Sequence, residues 1–294
     1  MGPDAALALC RFLHDASAML LWGASAYLWA LVPSKLAEDV GRRQRLFVVV
    51  SIVVAVATTT VSFPLQTATL GDGWSDAFSL TIARDILFDT SVGIAWQVQA
   101  VTAAFLAATL AVPPRRRRPA TVLASGLVLV SLTFSGHAAM QQGWIGIAHR
   151  INDAVHVLSG GGWLGALVPL VAILGRLGSA EAGSEAGIAL RRFSTAGHDV
   201  VALVVASGVV NTILVLGSWP TDGSSPYQAM LAAKIALVAM MVGLATVNRY
   251  TLAPGIASLR SNAVRAMRRA TFAEIALRLG VVALVAVFGM LDPA

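Results

Sequence analysis

Histidine is the residue type of this chain best suited to metal or haem chemistry, because an imidazole nitrogen binds transition metals and haem iron alike. Three of the five histidines, His137, His149 and His156, lie in one short segment, residues 135–165. His14 lies near the N-terminus. A site that uses both regions requires helices that bring them together.

The polar residues around these histidines repeat at helical spacing. His149, Asp153 and His156 are separated by four and three residues, so on a helix they share one face. Asp15 directly follows His14. A carboxylate beside a metal-bound imidazole fixes its tautomer and raises its basicity. We therefore expect Asp15 and Asp153 to support the metal ligands rather than to bind the metal themselves.

A methionine adds a soft donor to the group. Met140 follows His137 by three residues, which places a thioether and an imidazole about one helical turn apart. Cu(I) accepts both donors, whereas Cu(II) prefers imidazole nitrogen with carboxylate or water oxygen. The sequence therefore predicts a site for a copper ion, Cu+ or Cu2+. The expected ligands are His14, His137, His156 and Met140.

Composition indicates that this chemistry takes place in a membrane. Of the 294 residues, 57% are hydrophobic and only 12% are charged, and the mean hydropathy is +0.76. These values lie outside the usual range of water-soluble domains. The formal net charge of +6 does not indicate nucleic-acid binding, because the basic residues cluster between apolar runs, where they orient a chain in the lipid bilayer.

Apolar runs of about 20 residues, the length that crosses a bilayer, predict an all-α fold. We expect a single domain over residues 1–294 with eight transmembrane helices in one bundle. The predicted spans are 5–32, 46–67, 92–112, 119–140, 150–175, 193–218, 227–252 and 271–291.

Lys and Arg concentrate in alternate connections between these spans, as in PPRRRRP at 113–119. By the positive-inside rule those connections are cytoplasmic. Both termini and the segment between His137 and His149 are then expected on the outer side, which is the periplasm in a bacterium. The Gly- and Ser-rich segment 178–187 is expected to be a flexible cytoplasmic loop.

Three further polar residues each allow two interpretations. His149 is either a hydrogen-bonding residue at the membrane interface or part of an ion pathway. His198 lies beside Asp199 near the cytoplasmic end of the sixth span, as an exit site or as a polar cap, and the cap is favoured. Lys234 either reaches outward or pairs with a carboxylate such as Asp15 or Asp153.

Two close pairs predict helix packing rather than chemistry. Glu274 and Arg278 are four residues apart, so they are expected to neutralise each other near the cytoplasmic edge. Gly161 and Gly165 have the spacing that lets a neighbouring helix approach closely.

Several dispersed motifs resemble the copper resistance protein D (CopD) family. They are His14 with the small residues after it, SGHA (135–138), DAVHVLSGGGWLGALVPL (153–170), RFS (192–194), SGVVNTILVL (207–216), SPYQAMLAAKIALVAMMVGLATVNRYTLAP (225–254) and AEIALRLGVVALVAVFGMLDP (273–293). The resemblance covers nearly the whole chain, and residues 191–293 match best. The residues that match family positions are His14, His137, His156, Lys234, Asn248 and Arg249.

This resemblance implies a multi-pass inner-membrane protein of bacterial copper handling that works with a periplasmic copper-binding protein of the CopC type. We expect a transporter rather than an enzyme, with copper bound at the outer histidines and passed inward. Two other functions are compatible with the sequence. Facing histidines can ligate haem for electron transfer, and a membrane protein can dock a copper carrier without moving ions.

Overall fold

The structure, a computed structural model, describes residues 1–136, 139–222, 224–252 and 261–291. Across these residues it consists of helices and turns without a strand. The α-helices in chain order are α1 (Pro3–Ala30), α2 (Ser34–Arg43), α3 (Arg45–Leu70), α4 (Leu80–Asp89), α5 (Ser91–Ala108), α6 (Pro114–Ser131), α7 (Gly143–Gly165), α8 (Leu167–Leu174), α9 (Gly183–Leu216), α10 (Pro226–Val247) and α11 (Ser261–Phe288). A π-helical turn, Asn248–Leu252, follows α10.

Seven helical segments among the described residues are long and apolar enough to cross a membrane. They are Pro3–Ala30, Arg45–Leu70, Ser91–Ala111, Gly143–Leu174, Gly183–Leu216, Pro226–Thr251 and Asn262–Phe288. The all-helical, polytopic fold is therefore confirmed. The remaining predicted span, 119–140, falls on α6, whose first turns carry the arginines 115–118.

The ends of several helices differ from the prediction. Helix α7 begins at Gly143 rather than 150, and α9 begins at Gly183 rather than 193. Half of the segment 178–187 is therefore helical, and its prediction as a loop is wrong in that half. Hydropathy marks the stretch that lies in lipid, whereas a helix continues into water wherever its backbone hydrogen bonds continue.

Helix α1 lies at the centre of the bundle, where it packs against α3, α6, α7 and α11. Its small residues allow this close packing. A Cβ atom added at Gly23 would lie 2.3 Å from the carbonyl oxygen of Gly161, and one at Gly165 would lie 2.5 Å from that of Leu20. The predicted close approach at Gly161 and Gly165 is confirmed, and the partner is α1.

A proline separates α7 from α8. Pro169 has no N–H to donate to the carbonyl of Gly165, and its ring crowds that carbonyl. Helical hydrogen bonding is interrupted at Ala166 and resumes when Leu170 N–H donates to the carbonyl of Ala166. The short helix α8 then packs its buried face against α2 and α9.

Candidate functional site

A cavity of about 670 Å³ opens at one end of the bundle. It is lined by the first turns of α1, α5 and α10, by the last turns of α3, α9 and α11, and by α7. Consecutive spans run in opposite directions, so these turns lie at the same end of the molecule. Seven of the predicted site residues line this cavity: His14, Asp15, Met140, His149, Asp153, His156 and Lys234.

His14 contributes the most unusual group in the cavity. Its Nδ1 lies 3.1 Å from Thr58 Oγ1 and 3.3 Å from the carbonyl oxygen of Ala55 on α3. The carbonyl can only accept, and the Thr58 hydroxyl already donates to the carbonyl of Val54 at 2.7 Å. Nδ1 of the neutral ring therefore carries the hydrogen, and Nε2 carries a lone pair.

No described residue forms a hydrogen bond with His14 Nε2, although this atom is fully buried. Leaving a buried polar atom without a partner costs about 1–3 kcal/mol. A lone pair held in this way, with the opposite nitrogen anchored, is the arrangement in which histidine binds a metal ion. His14 therefore fits the role of a ligand.

His156 is oriented by the same kind of contact. Its Nδ1 lies 3.0 Å from Ser207 Oγ on α9. The Ser207 hydroxyl donates to the carbonyl of Leu203 at 2.5 Å, so it must accept from the imidazole. Nε2 of the neutral ring is then unprotonated. The ring lies against Gly208, where an added Cβ would be 3.3 Å from His156 Cε1.

His156 lies deeper along its helix than the sequence indicates. Because α7 begins at Gly143, His156 is thirteen residues from the helix start. That is roughly 20 Å along the axis at 1.5 Å per residue, rather than the two turns predicted. His14 lies eleven residues after Pro3 on α1. Both imidazoles are thus well inside the bundle.

A polar network holds Asp153 on the wall of the cavity. Asn211 Nδ2 donates to Asp153 Oδ1 at 2.9 Å, and Asn152 Nδ2 donates to Asn211 Oδ1 at 2.6 Å. Lys234 interacts electrostatically with Asp153 and with His156. Of the two carboxylates considered for Lys234, the structure favours Asp153. Asp15 instead interacts with His14 and Arg11.

His149 is buried, with 2% of its surface exposed. Its Nδ1 lies 3.0 Å from Gln141 Oε1, and Gln141 Nε2 donates to the carbonyl of Leu214 at 2.6 Å. This contact shows that His149 is hydrogen-bonded within the bundle. Its two interpretations, as a hydrogen-bonding residue at the interface or as part of an ion pathway, stay predictions. Met140 is 64% exposed at the cavity rim.

Comparison with known proteins decides the family. A family model described as "Copper resistance protein D-like, N-terminal domain" matches residues 2–147, and one described as "Copper resistance protein D" matches residues 187–288. Inner membrane protein YebZ of Escherichia coli (strain K12) is 31% identical over 244 residues, 83% of each chain. Copper resistance protein D of Pseudomonas syringae pv. tomato is 33% identical over 223 residues, 72% of each chain.

The chain belongs to the copper resistance protein D family. It is also similar to copper transport protein CutJ of Bacillus subtilis (strain 168), with 27% identity over 221 residues, which are 72% of this chain and 40% of CutJ. No solved structure matches the chain. Membership of this family assigns the protein to copper homeostasis, and its apolar helices make it a multi-pass protein of the inner membrane.

The structure brings together only part of the site predicted for this copper resistance D protein. His14 and His156 reach the same cavity from α1 and α7. The third expected ligand, His137, lies outside the described residues. Among those that are described, no three His, Cys, Asp or Glu side chains converge closely enough to hold a metal ion. The three-histidine site therefore stays a prediction.

The predicted pair of Glu274 and Arg278 is confirmed, and Arg278 is one of the residues that line the cavity. Arg278 Nη2 donates to Glu274 Oε2 at 2.6 Å, and Arg278 is only 3% exposed. Arg278 Nη1 also donates to the backbone carbonyl of Trp163 at 2.8 Å, and Arg278 Cζ lies 4.2 Å from the centre of the Trp163 ring. Asn248 Nδ2 donates to Glu274 Oε1 at 2.5 Å. The sequence did not indicate these additional partners.

His198 does not take part in this cavity. It is exposed, and Arg249 Nη1 lies 2.7 Å from its Nδ1 while also donating to Ser194 Oγ at 2.8 Å. Arg249 thus lies against the side of α9, where it contacts one helical turn from Ser194 to His198. His198 lies fifteen residues after the start of α9, and both interpretations of it, polar cap and exit site, stay predictions.

The sequence pattern did not predict the hydroxyl and amide groups that hold the two histidines and Asp153. Thr58, Ser207 and Asn211 hold His14, His156 and Asp153 in place. Ser207 and Asn211 are four residues apart, the spacing of one helix face. That spacing was the available signal for a polar wall on the sixth predicted span.

Proposed function

We propose that this copper resistance D protein binds a copper ion in the cavity at the outer end of the bundle and passes it inward. His14 and His156 are the ligands that the described residues supply, and His137 and Met140 are the further ligands expected from the sequence. Asp15 and Asp153 adjust the charge around the bound ion. The single observation that carries the proposal is the buried, unpartnered Nε2 of His14.

The position of the cavity supports an outward-facing site. Its lining comes from the helix ends that the positive-inside rule places outside, and the arginines 115–118 lie in the first turns of α6, at the opposite end of the bundle. Copper can then arrive from the periplasm, free or on a separate carrier of the CopC type. The name of the Bacillus relative, a copper transport protein, supports movement across the membrane rather than storage.

Inward passage starts in this cavity. Arg278 and Trp163 line the cavity, and Arg278 is paired with the buried Glu274. A cation moving inward meets the Arg278 guanidinium first, because Arg278 lines the cavity. We propose that the pair rearranges during transport, which lets Glu274 attract the ion once Arg278 has moved aside.

Copper content and visible absorption of the purified protein test the binding step. After loading with copper and removal of excess, we expect about one copper per chain in the wild type and strong depletion in His14→Ala. The reason is that a metal site loses most of its affinity for the metal when one of its protein ligands is removed. His198→Ala is the matched control, since His198 is exposed and outside the cavity. Equal copper in the wild type and His14→Ala contradicts the proposal.

The same spectrum separates copper from haem. A Soret band that disappears in His14→Ala assigns the cavity to haem and overturns the copper site. Uptake is then tested in proteoliposomes by adding copper outside and measuring its entry with an enclosed indicator. If copper binds but does not enter the proteoliposomes, the protein docks copper without transporting it. That result overturns the proposal of transport and leaves the proposal of binding in place.

A further inference from the structure

Cys10 lies one helical turn before His14, on the same face of α1. Four residues separate the two, so their Cβ atoms are about 5–6 Å apart. Both side chains are buried, with 6% of each exposed, and both line the cavity. Cys10 is the only cysteine of the chain, and a single buried thiol is by itself no evidence for a site.

The second, independent observation is the state of His14. Its Nε2 is buried in the same cavity wall, and no described residue forms a hydrogen bond with it. The two residues are also held by one residue of α3. The Cys10 thiol donates to the carbonyl of Thr58 at 3.3 Å, and Thr58 Oγ1 accepts from His14 Nδ1 at 3.1 Å. Thr58 thus fixes a sulfur and an imidazole on the same wall.

We propose that Cys10 Sγ and His14 Nε2 together bind Cu(I). This inference rests on the proposed copper site and names the oxidation state of the ion it takes. Thiolate sulfur selects Cu(I) among copper ions, and Cu(I) is satisfied by two donors.

The chemistry of binding is simple ligand exchange. Cu+ forms bonds to Sγ and Nε2, the S–H bond breaks, and its proton leaves to water in the cavity. No electron is transferred, so copper enters and leaves as Cu(I). The complex of Cu+ with one thiolate and one neutral imidazole has no net charge. A neutral complex avoids the cost of burying an unpaired ion inside a membrane protein, whereas Cu2+ on the same two groups would carry one positive charge.

Because Cys10 is the sole cysteine, alkylation reports on it directly. The purified full-length protein is incubated with N-ethylmaleimide under ascorbate, with and without Cu(I), and the modified fraction is measured by mass spectrometry. We expect Cu(I) and Ag(I) to protect Cys10 in the wild type at least tenfold and Zn(II) not to protect it. Equal alkylation with and without Cu(I) overturns the inference.

Binding measurements on variants separate this inference from the proposed site. Cys10→Ser keeps the size of the side chain and a hydroxyl for the carbonyl of Thr58, so the fold is preserved. We expect it to weaken Cu(I) binding at least tenfold, measured by competition with a chromogenic chelator, while Cu(II) binding changes less than twofold. Ser25→Ala, a buried change on α1 outside the cavity, is the control.

The combined outcomes distinguish the two proposals. If His14→Ala weakens copper binding and Cys10→Ser leaves Cu(I) affinity unchanged, the copper site stands and the thiol is not part of it. If neither variant changes copper binding, the proposed function fails together with the inference.

Discussion

At the residue scale, the site depends on which nitrogen of each imidazole carries the hydrogen. Sequence reasoning identified His14 and His156 because ionisable groups within apolar spans are rare. It did not identify Thr58, because the run Thr58–Thr59–Thr60 offers three equivalent hydroxyls. Only the rotation of α3 turns Thr58 toward His14 and leaves Thr60 exposed. Such a rotation depends on packing between helices that lie far apart in sequence.

Removing the Thr58 hydroxyl tests whether this contact positions the ligand. We expect Thr58→Val to weaken copper binding roughly tenfold to a hundredfold, the usual effect of losing a partner behind a metal-bound histidine. Thr58→Ser keeps the hydroxyl and is expected to bind as the wild type does. Competition titration with a copper chelator measures both. Unchanged affinity in Thr58→Val would show that the carbonyl of Ala55 and the Thr59 hydroxyl, 3.4 Å from Nδ1, hold the ring without Thr58.

The buried Glu274–Arg278 pair makes a prediction about stability. Arg278→Met leaves Glu274 as an uncompensated buried charge, which costs about 3–5 kcal/mol. We expect a large drop in the thermal unfolding midpoint in detergent, with partial recovery in the double variant Glu274→Gln/Arg278→Met. The control is Arg43→Ala, which breaks an exposed contact with Asp39 at 3.4 Å and is expected to cost at most about 1 kcal/mol. Equal midpoints for Arg278→Met and Arg43→Ala would contradict this expectation.

At the element scale, close contact between α1 and α7 brings the two histidines to one cavity. The glycine spacing predicted a close approach but not its partner, since GxxxG specifies a surface and not the helix that meets it. The helix ends were less predictable than the spans. Helices α7, α9 and α11 extend past their apolar stretches into polar sequence, where hydropathy carries no signal.

Adding one methyl group at the helix crossing separates the helices. In Gly165→Ala the new Cβ would lie 2.5 Å from the carbonyl oxygen of Leu20 and 2.6 Å from that of Met19, both of them backbone atoms. We expect a destabilisation of about 1–3 kcal/mol from overpacking, together with weaker copper binding because His14 and His156 move apart. Gly162→Ala, on the same helix but outside the cavity lining, would place its new Cβ 3.8 Å from Trp22 Nε1, an ordinary contact distance, and is expected to be neutral or slightly stabilising. Thermal unfolding and copper titration on the two variants check the comparison.

At the scale of the whole molecule, hydropathy and charge predicted an all-helical membrane protein with one outer end. The chain alternates direction, so residues distant in sequence, such as Leu7, Leu70 and Phe288, line one cavity. The cavity itself was not predictable. It depends on the distances between the helices around α1, and the periodicity of a sequence does not specify those distances.

Orientation in the membrane gives a direct prediction at this scale. Cys10→Ser removes the sole cysteine, so single cysteines can be placed at Ser224 and Arg116, which are both exposed. We expect a membrane-impermeant maleimide to label Ser224→Cys in intact spheroplasts. Arg116→Cys should be labelled only after the membrane is opened. The reverse pattern would place the cavity on the cytoplasmic side and would turn uptake into export.

The position of bound copper tests the central claim most directly. Diffraction data from copper-loaded crystals, collected at the copper absorption edge, locate the ion by its anomalous signal. We expect one strong peak in the cavity beside Nε2 of His14, between α1 and α7. A peak found only at the exposed His198, or no peak in protein that retains copper during purification, would contradict a site built on His14.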